Sequence, residues 1–479
     1  MALLRKEAMK KVVAGMTIGK DFSPLFPDVL KCMQTADLEL KKLVYLYLIN
    51  YAKIQPELAI LAINTFCKDS EDSNPLVRSL SIRTMGCIRI PQILDYIIEP
   101  LRRGLKDGHP YVRKSAALCV AKVFDLSVEV AEDCGFLDSL QELLQVDNNP
   151  MVISNVLAAL SDISRHYPDI DVLLVDASLL KRLLVLLNEC SEWGQIFILE
   201  TLAKYMPLNV EEAEAIVEGV LPRLQHSNQS IVMASIRVLV KQGIMKESPL
   251  TANHPLRTVI CRKLGAPLVA MTSSPTPAEL QYVALRCLNL LVQLVPQLIG
   301  SDPRPFFAVY TDPAYVKVEK LEVLALVTDD ESVGRVLPEL ADCAKDVDAS
   351  LAARAVRIMA RITERVTHWT SHVLDLYYDL LETLNPVTIQ QVVMAVASIY
   401  QAASLPGVRE AIKHWFARVV IVNEEDYNVN FGVISEACAG DPLAQASFIS
   451  LISHLDIDEN DSDLLEATIA YVATLTDNF

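Results

Sequence analysis

Glycine is scarce in this chain, 15 of 479 residues, about 3% where globular proteins average ~7%. Glycine-rich phosphate loops and tight β-hairpins, which lean on glycine's freedom at positive φ, are thereby disfavoured. Aromatic residues are few as well, 6% with 3 tryptophans, against a hydrophobic content of 52%. The implied core is aliphatic and suits helices packed ridge into groove rather than aromatic-rich sheets. No CxxC pair occurs among the ten cysteines (Cys32, Cys67, Cys87, Cys119, Cys134, Cys190, Cys261, Cys287, Cys343, Cys438). Most lie in apolar runs, as buried thiols of a reducing compartment do. No stretch approaches the ~18 unbroken apolar residues of a membrane span. No signal peptide opens the chain, since Met1-Ala2-Leu3-Leu4 runs straight into Arg5-Lys6-Glu7. A soluble, cytosolic protein is expected. Positive charge is also in deficit: 43 Lys and Arg face 60 Asp and Glu, a net charge of −17. Such a surface repels phosphate backbones, so nucleic acid is not an expected partner.

What the chain does have is a repeat. Asp37-Leu38-Glu39-Leu40-Lys41-Lys42, Asp72-Ser73-Asn74-Pro75-Leu76-Val77-Arg78, Asp107-Gly108-His109-Pro110-Tyr111-Val112-Arg113 and Asp147-Asn148-Asn149-Pro150-Met151-Val152 each lead into an apolar run. The aspartates stand 35, 35 and 40 residues apart, a period that marks a stacked array. Each motif reads as a helix start. Asp or Asn caps free N–H groups, and Pro sits where its missing N–H costs nothing. Weaker copies follow at Ser227–Val232, Asp312–Lys317 and Asp348–Leu351. Helical apolar spacing recurs from 41–53 to 407–421 with short polar connections. The expectation is an all-α, HEAT- or armadillo-like solenoid of stacked helix pairs, one continuous curved body over 1–479. Val419–Asp426 turns β-branched and then acidic, so a helix is expected to end or bend there. Ala467–Leu475 is too apolar for a polar terminal cap, which predicts that the chain continues or that a partner covers this end.

Catalytic chemistry finds little support. No G-x-S-x-G, Walker or G-x-G-x-x-G motif is present. His368 and His372 are spaced i,i+4, but Trp369 stands where a zinc protease needs Glu, and no third ligand is evident. The remaining histidines (His109, His166, His226, His254, His414, His454) sit near loops or helix ends, and the pairs Asp169/Asp171 and Asp461/Asp463 read as solvated loops. No enzyme activity, metal or cofactor is expected. Two features remain as binding candidates. Arg5, Lys6, Lys10 and Lys11, with Lys20 beyond, form the densest basic cluster at either terminus. They suit either phosphoinositide headgroups or an ordinary solvated helix face. Pro56–Cys67 is apolar nearly all round, which calls either for full burial between repeats or for a partner.

The filling between the motifs is more specific than the motifs. Leu38-Glu39-Leu40-Lys41-Lys42-Leu43-Val44-Tyr45-Leu46-Tyr47-Leu48, Asn74–Arg78, Arg83-Thr84-Met85-Gly86-Cys87-Ile88-Arg89, Pro110–Lys114, Gly135–Asp138, Glu192-Trp193-Gly194-Gln195-Ile196 and Leu280–Arg286 closely resemble the trunk of β-adaptin, the large β subunit of clathrin adaptor complexes. The resemblance is dense from about Lys6 to Pro207, recognisable to about Lys320, and architectural only beyond Asp330. It implies a non-catalytic scaffold in vesicle transport. The implied partners are a second large adaptin, a medium and a small subunit, an Arf-family GTPase and a phosphoinositide membrane surface. Ile60 and Ile63 resemble positions on the family's GTPase-contact helix, which favours the partner reading of Pro56–Cys67. Arg5, Lys6, Lys10 and Lys11 resemble a phosphoinositide-contacting stretch. Met1–Leu4 looks shortened, and the family's hinge and clathrin-binding appendage have no counterpart here, so clathrin is implied only through those absent regions.

The implied location is cytoplasmic, peripheral on Golgi, endosomal or plasma-membrane coated vesicles; the partner large subunit decides which. Leu143-Leu144-Gln145-Val146-Asp147 has the leucine–apolar–any–apolar–acid form of a clathrin-read peptide, but it closes a helix and supplies a repeat aspartate, so its leucines are expected to be buried. The alternative to an adaptor is another helical-repeat scaffold, such as a nuclear transport receptor or a phosphatase scaffold.

Overall fold

A computed structural model describes residues 2–453 apart from 169–174, 246–248, 251–253, 274–275, 296–297, 301, 382–385 and most of 403–440. Val419–Asp426, Ala467–Leu475, Asp169/Asp171, Asp461/Asp463, His414 and His454 lie outside the described residues. The described residues hold helices and no strand. Two compact units divide at Arg257/Thr258.

Unit 1 runs α1 (Ala2–Thr17), α2 (Phe26–Lys31), α3 (Leu38–Tyr51), α4 (Pro56–Asp69), α5 (Pro75–Cys87), α6 (Leu94–Leu105), α7 (Pro110–Leu126), α8 (Val128–Asp133), α9 (Phe136–Val146), α10 (Pro150–His166), α11 (Ala177–Leu186), α12 (Glu192–Lys204), α13 (Val210–Val220) and α14 (Gln229–Gly243). Packing sorts them into two layers. In one, α3, α5, α7, α10, α12 and α14 lie side by side in sequence. In the other, α4 packs on α6 and α6 on α9. Hairpin contacts α4–α5, α6–α7, α9–α10 and α13–α14 join the layers. This is the solenoid of helix pairs that the period predicts. The unit boundary falls in the first turn of α15 (Pro255–Met271). Unit 2 continues with α16 (Ala278–Leu294), α17 (Ala314–Val327), α18 (Val333–Ala344), α19 (Ala349–Arg365), α20 (Thr370–Leu381), α21 (Pro386–Ala402) and α22 (Pro442–Ser453). There α17, α19, α21 and α22 form one layer, with α18 and α20 against it.

The repeat motif does more than start helices. Asp37 caps α3 directly, accepting from the N–H groups of Glu39 and Leu40 at 2.9 and 3.4 Å. In the next three copies the cap is instead the residue two places on: Asn74, His109 and Asn149 accept from the N–H groups of Leu76, Tyr111 and Met151. This frees the aspartate for two other partners. Each binds the cap residue's own N–H, at 2.8 Å for Asp72 and Asp107 and 2.9 Å for Asp147. Asp107 and Asp147 also receive a two-pronged arginine from the preceding repeat. Arg78 donates to Asp107 at 2.8 and 2.9 Å and Arg113 to Asp147 at 2.6 and 3.1 Å. The third nitrogen of each guanidinium binds carbonyls of its own turn, those of Asp72 and Ser73 or of Asp107 and Gly108. Every such rung therefore locks two turns together. Unit 2 repeats the device more loosely, with Lys317 3.5 Å from Asp346, which holds the N–H of the α19 cap Asp348.

Burial alone would raise the Asp147 carboxyl, but the Arg113 hydrogen bonds and turn N–H groups hold it below the usual carboxylate range; Asp107 is held down in the same way by Arg78. A lowered folded value means the stabilisation is complete above the unfolded value of about 4 and is lost as pH falls through the folded one. Replacing Arg113 with Ala strands the buried Asp147 carboxylate and should cost about 3 kcal/mol at pH 7. Urea midpoints of wild type and variant should converge below about pH 4. A gap independent of pH would show that the rung is not its source.

Close packing of the layer explains one of the short strings that carry the resemblance. A Cβ on Gly194 would stand 3.0 Å from both Cys190 and Ser154, so glycine lets Glu192-Trp193-Gly194-Gln195 seat α12 on α10 without displacing either neighbour. All ten cysteines are unpaired, and burial pushes the Cys119 thiol up to about 12.

Candidate interaction surfaces

The basic N-terminal cluster is split by the packing of α1 on α3. Met9 is buried against the body, which turns Lys6 inward. The Lys6 ammonium pairs with Glu39 and lies 3.4 Å from Asp37, at the start of α3. The Glu39 hydrogen bond holds the Lys6 amine above its usual range and pulls the Glu39 carboxyl down. Lys6 thus fastens the α1–α3 joint, and its charge is already answered within the chain. Arg5, Lys10 and Lys11 are exposed on α1, and Lys20 follows in the loop. The four-residue cluster read from the sequence is a three-residue one in space, because an i,i+4 lysine pair was counted without the acidic start of α3 beside it.

A comparable division falls on α4. Ala59, Ala62, Ile63 and Phe66 follow i, i+3, i+4, i+7 spacing and are buried. Their stripe faces α2, α5 and α6, the elements that α4 packs on. Ile63 is only 3% exposed, so it is a core residue in this structure. Ile60 lies on the other side at 37% exposure, next to Leu61 at 65%, with Ile54 just before the helix at 63%. Of the two isoleucines singled out from the sequence, Ile60 alone is available to a partner. Leu61 and Ile54 join it, and the all-apolar composition held the signal for them without saying which side faces out. Pro56–Cys67 therefore buries one apolar face and leaves the other exposed.

The buried side of this region is fixed by the Leu-Lys-Lys-Leu-Val-Tyr-Leu-Tyr-Leu string. Lys41 and Tyr45, one turn apart on α3, both donate to the Asp69 carboxylate at the end of α4. All three residues are buried. Tyr47 donates to the Phe22 carbonyl at 2.6 Å, while the Tyr51 hydroxyl accepts from the Phe22 N–H at 2.9 Å. The rings of Tyr45 and Phe66 meet edge-on at 4.8 Å. This string therefore clamps the N-terminal helices, leaving Lys42 and Leu46 as its exposed members.

Leu143 is half-buried, Leu144 buried and Val146 71% exposed, so only one leucine of the clathrin-like string is fully covered. Its Asp147 is committed to Arg113. His368 lies in the turn before α20 and His372 in its first turn, with the Trp369 ring 5.6 Å from that of His372. Among the described residues no cluster of three His, Cys, Asp or Glu could hold a metal ion, and no helix is long and apolar enough to cross a membrane.

Layered helix pairs tied by repeated rungs define a helical-repeat solenoid protein. The family model described as the Adaptin N terminal region matches residues 3–412. The mouse AP-1 complex subunit beta-1 is 47% identical over 83% of this chain and 41% of its own length. The Saccharomyces cerevisiae AP-1 complex subunit beta-1 is 40% identical over 80% of this chain and 52% of its own. The Schizosaccharomyces pombe AP-2 complex subunit beta is 33% identical over 82% of this chain and 57% of its own. The chain spans about two fifths to a little over half the length of these curated relatives. A chain of the full-length AP-3 complex, a homology model in an intermediate open conformation, superposes with a TM-score of 0.54 over 94% of this chain and 80% of that one, at 18% identity. At that identity the likeness concerns the fold alone. The chain belongs to the adaptin family, as a β-adaptin.

Proposed function

We propose that this chain is the helical-repeat trunk of a clathrin-associated adaptor complex, a non-catalytic scaffold that acts on coated vesicles at a membrane surface. The observation that carries the reading is the adaptin match over residues 3–412, joined to 40–47% identity with AP-1 β subunits. Its partners are a second large adaptin, a medium subunit and a small subunit. The outward face of α4, with Ile60, Leu61 and Ile54, takes an Arf-family GTPase. Arg5, Lys10 and Lys11 take anionic phosphoinositide headgroups. Weak contacts to lipid, GTPase and subunits add because one frame holds them together, each raising the effective concentration of the next.

Reconstitution tests the proposal. Co-expressed with medium, small and second large subunits of an adaptor complex, the chain should be recovered as a stoichiometric assembly. That assembly should bind vesicles containing phosphoinositide, and reversing Arg5, Lys10 and Lys11 to Glu should weaken binding at least fivefold at low salt, with the difference closing as salt rises. Recovery of Ran or a phosphatase catalytic subunit in place of adaptor subunits would overturn the scaffold assignment. Unchanged vesicle binding would remove the headgroup role.

A further inference from the structure

A second basic surface lies away from the N-terminus. A groove of about 510 Å3 crosses α5, α7, α10 and α12 on the exposed side of their layer. Four cations line it: Arg83 from α5, Lys114 and Lys122 from α7, and Arg165 from α10. Lys114, Leu118 and Lys122 fall at i, i+4 and i+8, one stripe down α7. Leu118 and the Phe197 ring supply apolar lining. We propose that this groove is a docking site for an acidic peptide segment of a partner protein.

Charge pairing is the first argument. Elsewhere in unit 1 several cations are answered, Arg78 by Asp107, Arg89 by Asp125 and Arg113 by Asp147. Among the described residues, no carboxylate oxygen lies within 4.0 Å of Arg83, Lys114, Lys122 or Arg165. Instead Lys122 donates to the Cys87 thiol at 2.8 Å, and Lys114 sits 4.3 Å over the Tyr111 ring. Both are second-rate partners for an ammonium group, and the one acid lining the groove, Asp162, stands beside His166. In a chain of net charge −17, four unanswered cations in one groove concentrate a local field that attracts anions.

Shape selects among anions. Lys114 and Lys122 are half-buried, and Leu118 and Phe197 offer apolar contact beside them, a combination that suits a peptide carrying both acids and an apolar side chain better than a lipid headgroup. Long nucleic acid is repelled by the rest of the surface. Four neighbouring helices at 8–10 Å spacing give a run of about 27 Å, the span of about eight extended residues. An extended acidic segment with one apolar side chain matches this length, charge and lining. The proposal stands apart from the GTPase and headgroup contacts, on different helices.

The test is fluorescence anisotropy of the full chain with a labelled octamer of glutamates around a central leucine. Wild type should bind, with affinity falling as salt rises. Arg83→Glu with Arg165→Glu, both exposed, should weaken binding at least tenfold while helicity is unchanged. Lys114→Gln with Lys122→Gln should weaken it to a similar degree. Reversing the exposed pair Arg262 and Lys263 on α15 should leave affinity within twofold, excluding a net-charge effect. Absence of wild-type binding, or equal binding by the groove variants, would overturn the proposal. So would an equal loss of binding to phosphoinositide vesicles in the groove variants, which would assign the groove to membrane.

Discussion

Replacing Lys41 with methionine should destabilise the N-terminal repeats by about 3–5 kcal/mol, the usual effect of stranding one partner of a buried ion pair. Lys41 and Asp69 side chains are only 7% and 9% exposed. Burial, followed by the Asp69 hydrogen bond and charge, drives the Tyr45 hydroxyl far above its usual range, so it remains a donor at any working pH. With Lys41 gone, the Asp69 carboxylate keeps one neutral donor and no counter-charge. Tyr45→Phe should cost less, about 1–3 kcal/mol for one hydrogen bond to a charged group. The decisive variant is the double one. Lys41→Met with Asp69→Leu removes both charges and leaves apolar groups of similar volume, and should recover the loss except for about 1–3 kcal/mol kept by the Tyr45 hydroxyl left without its acceptor. Thermal or urea midpoints of the four proteins check this. A single variant within about 1 kcal/mol of wild type would mean that the aromatic packing, not the ion pair, holds α3 to α4.

On α4, opposite outcomes are expected from adjacent positions. Ile63→Asp puts a carboxylate at a site with 3% exposure and no cation beside it in the buried stripe, so it should cost at least about 3 kcal/mol and reduce helical circular dichroism. Ile60→Asp with Leu61→Asp alters only the outward face and should stay within about 0.5 kcal/mol of wild type. The same surface variant should lose GTP-dependent recruitment at least tenfold in a pull-down with an activated Arf-family GTPase. Wild-type recruitment by a folded Ile60/Leu61 variant would sink the GTPase assignment. Separating the positions matters, because a variant that joins Ile60 to Ile63 would confuse unfolding with lost binding.

The architecture was legible because its signal is periodic. Helix starts at Asp37, Asn74, His109, Asn149, Asn228 and Asp348 each leave a capping side chain ahead of an apolar run. α9 is harder to read, since it opens behind Gly135 at φ +64 and has no polar–proline start. The sites were legible in composition but not in orientation. Ile60 and Ile63 are equally apolar, and only the packing of α4 on its neighbours divides them. Lys6 and Lys10 are equally basic, and only the nearness of Glu39, 33 residues on, neutralises one. The groove cations suffered the same limit, for they come from three helices and no single window of sequence gathers them.

The rungs bear on how such an array is inherited. Arg78 reaches Asp107 and Arg113 reaches Asp147, so the repeats that open at Asp72 and Asp107 each carry an acidic opening turn and a donor for the turn that follows. Excising the segment from Asp107 to Val146 would bring Arg78 opposite Asp147, and duplicating it would present a new donor beside each new acceptor. Repeats of this kind can therefore be lost or gained with every rung still matched. Partial ones leave a buried charge unanswered, so viable changes of length come in complete units.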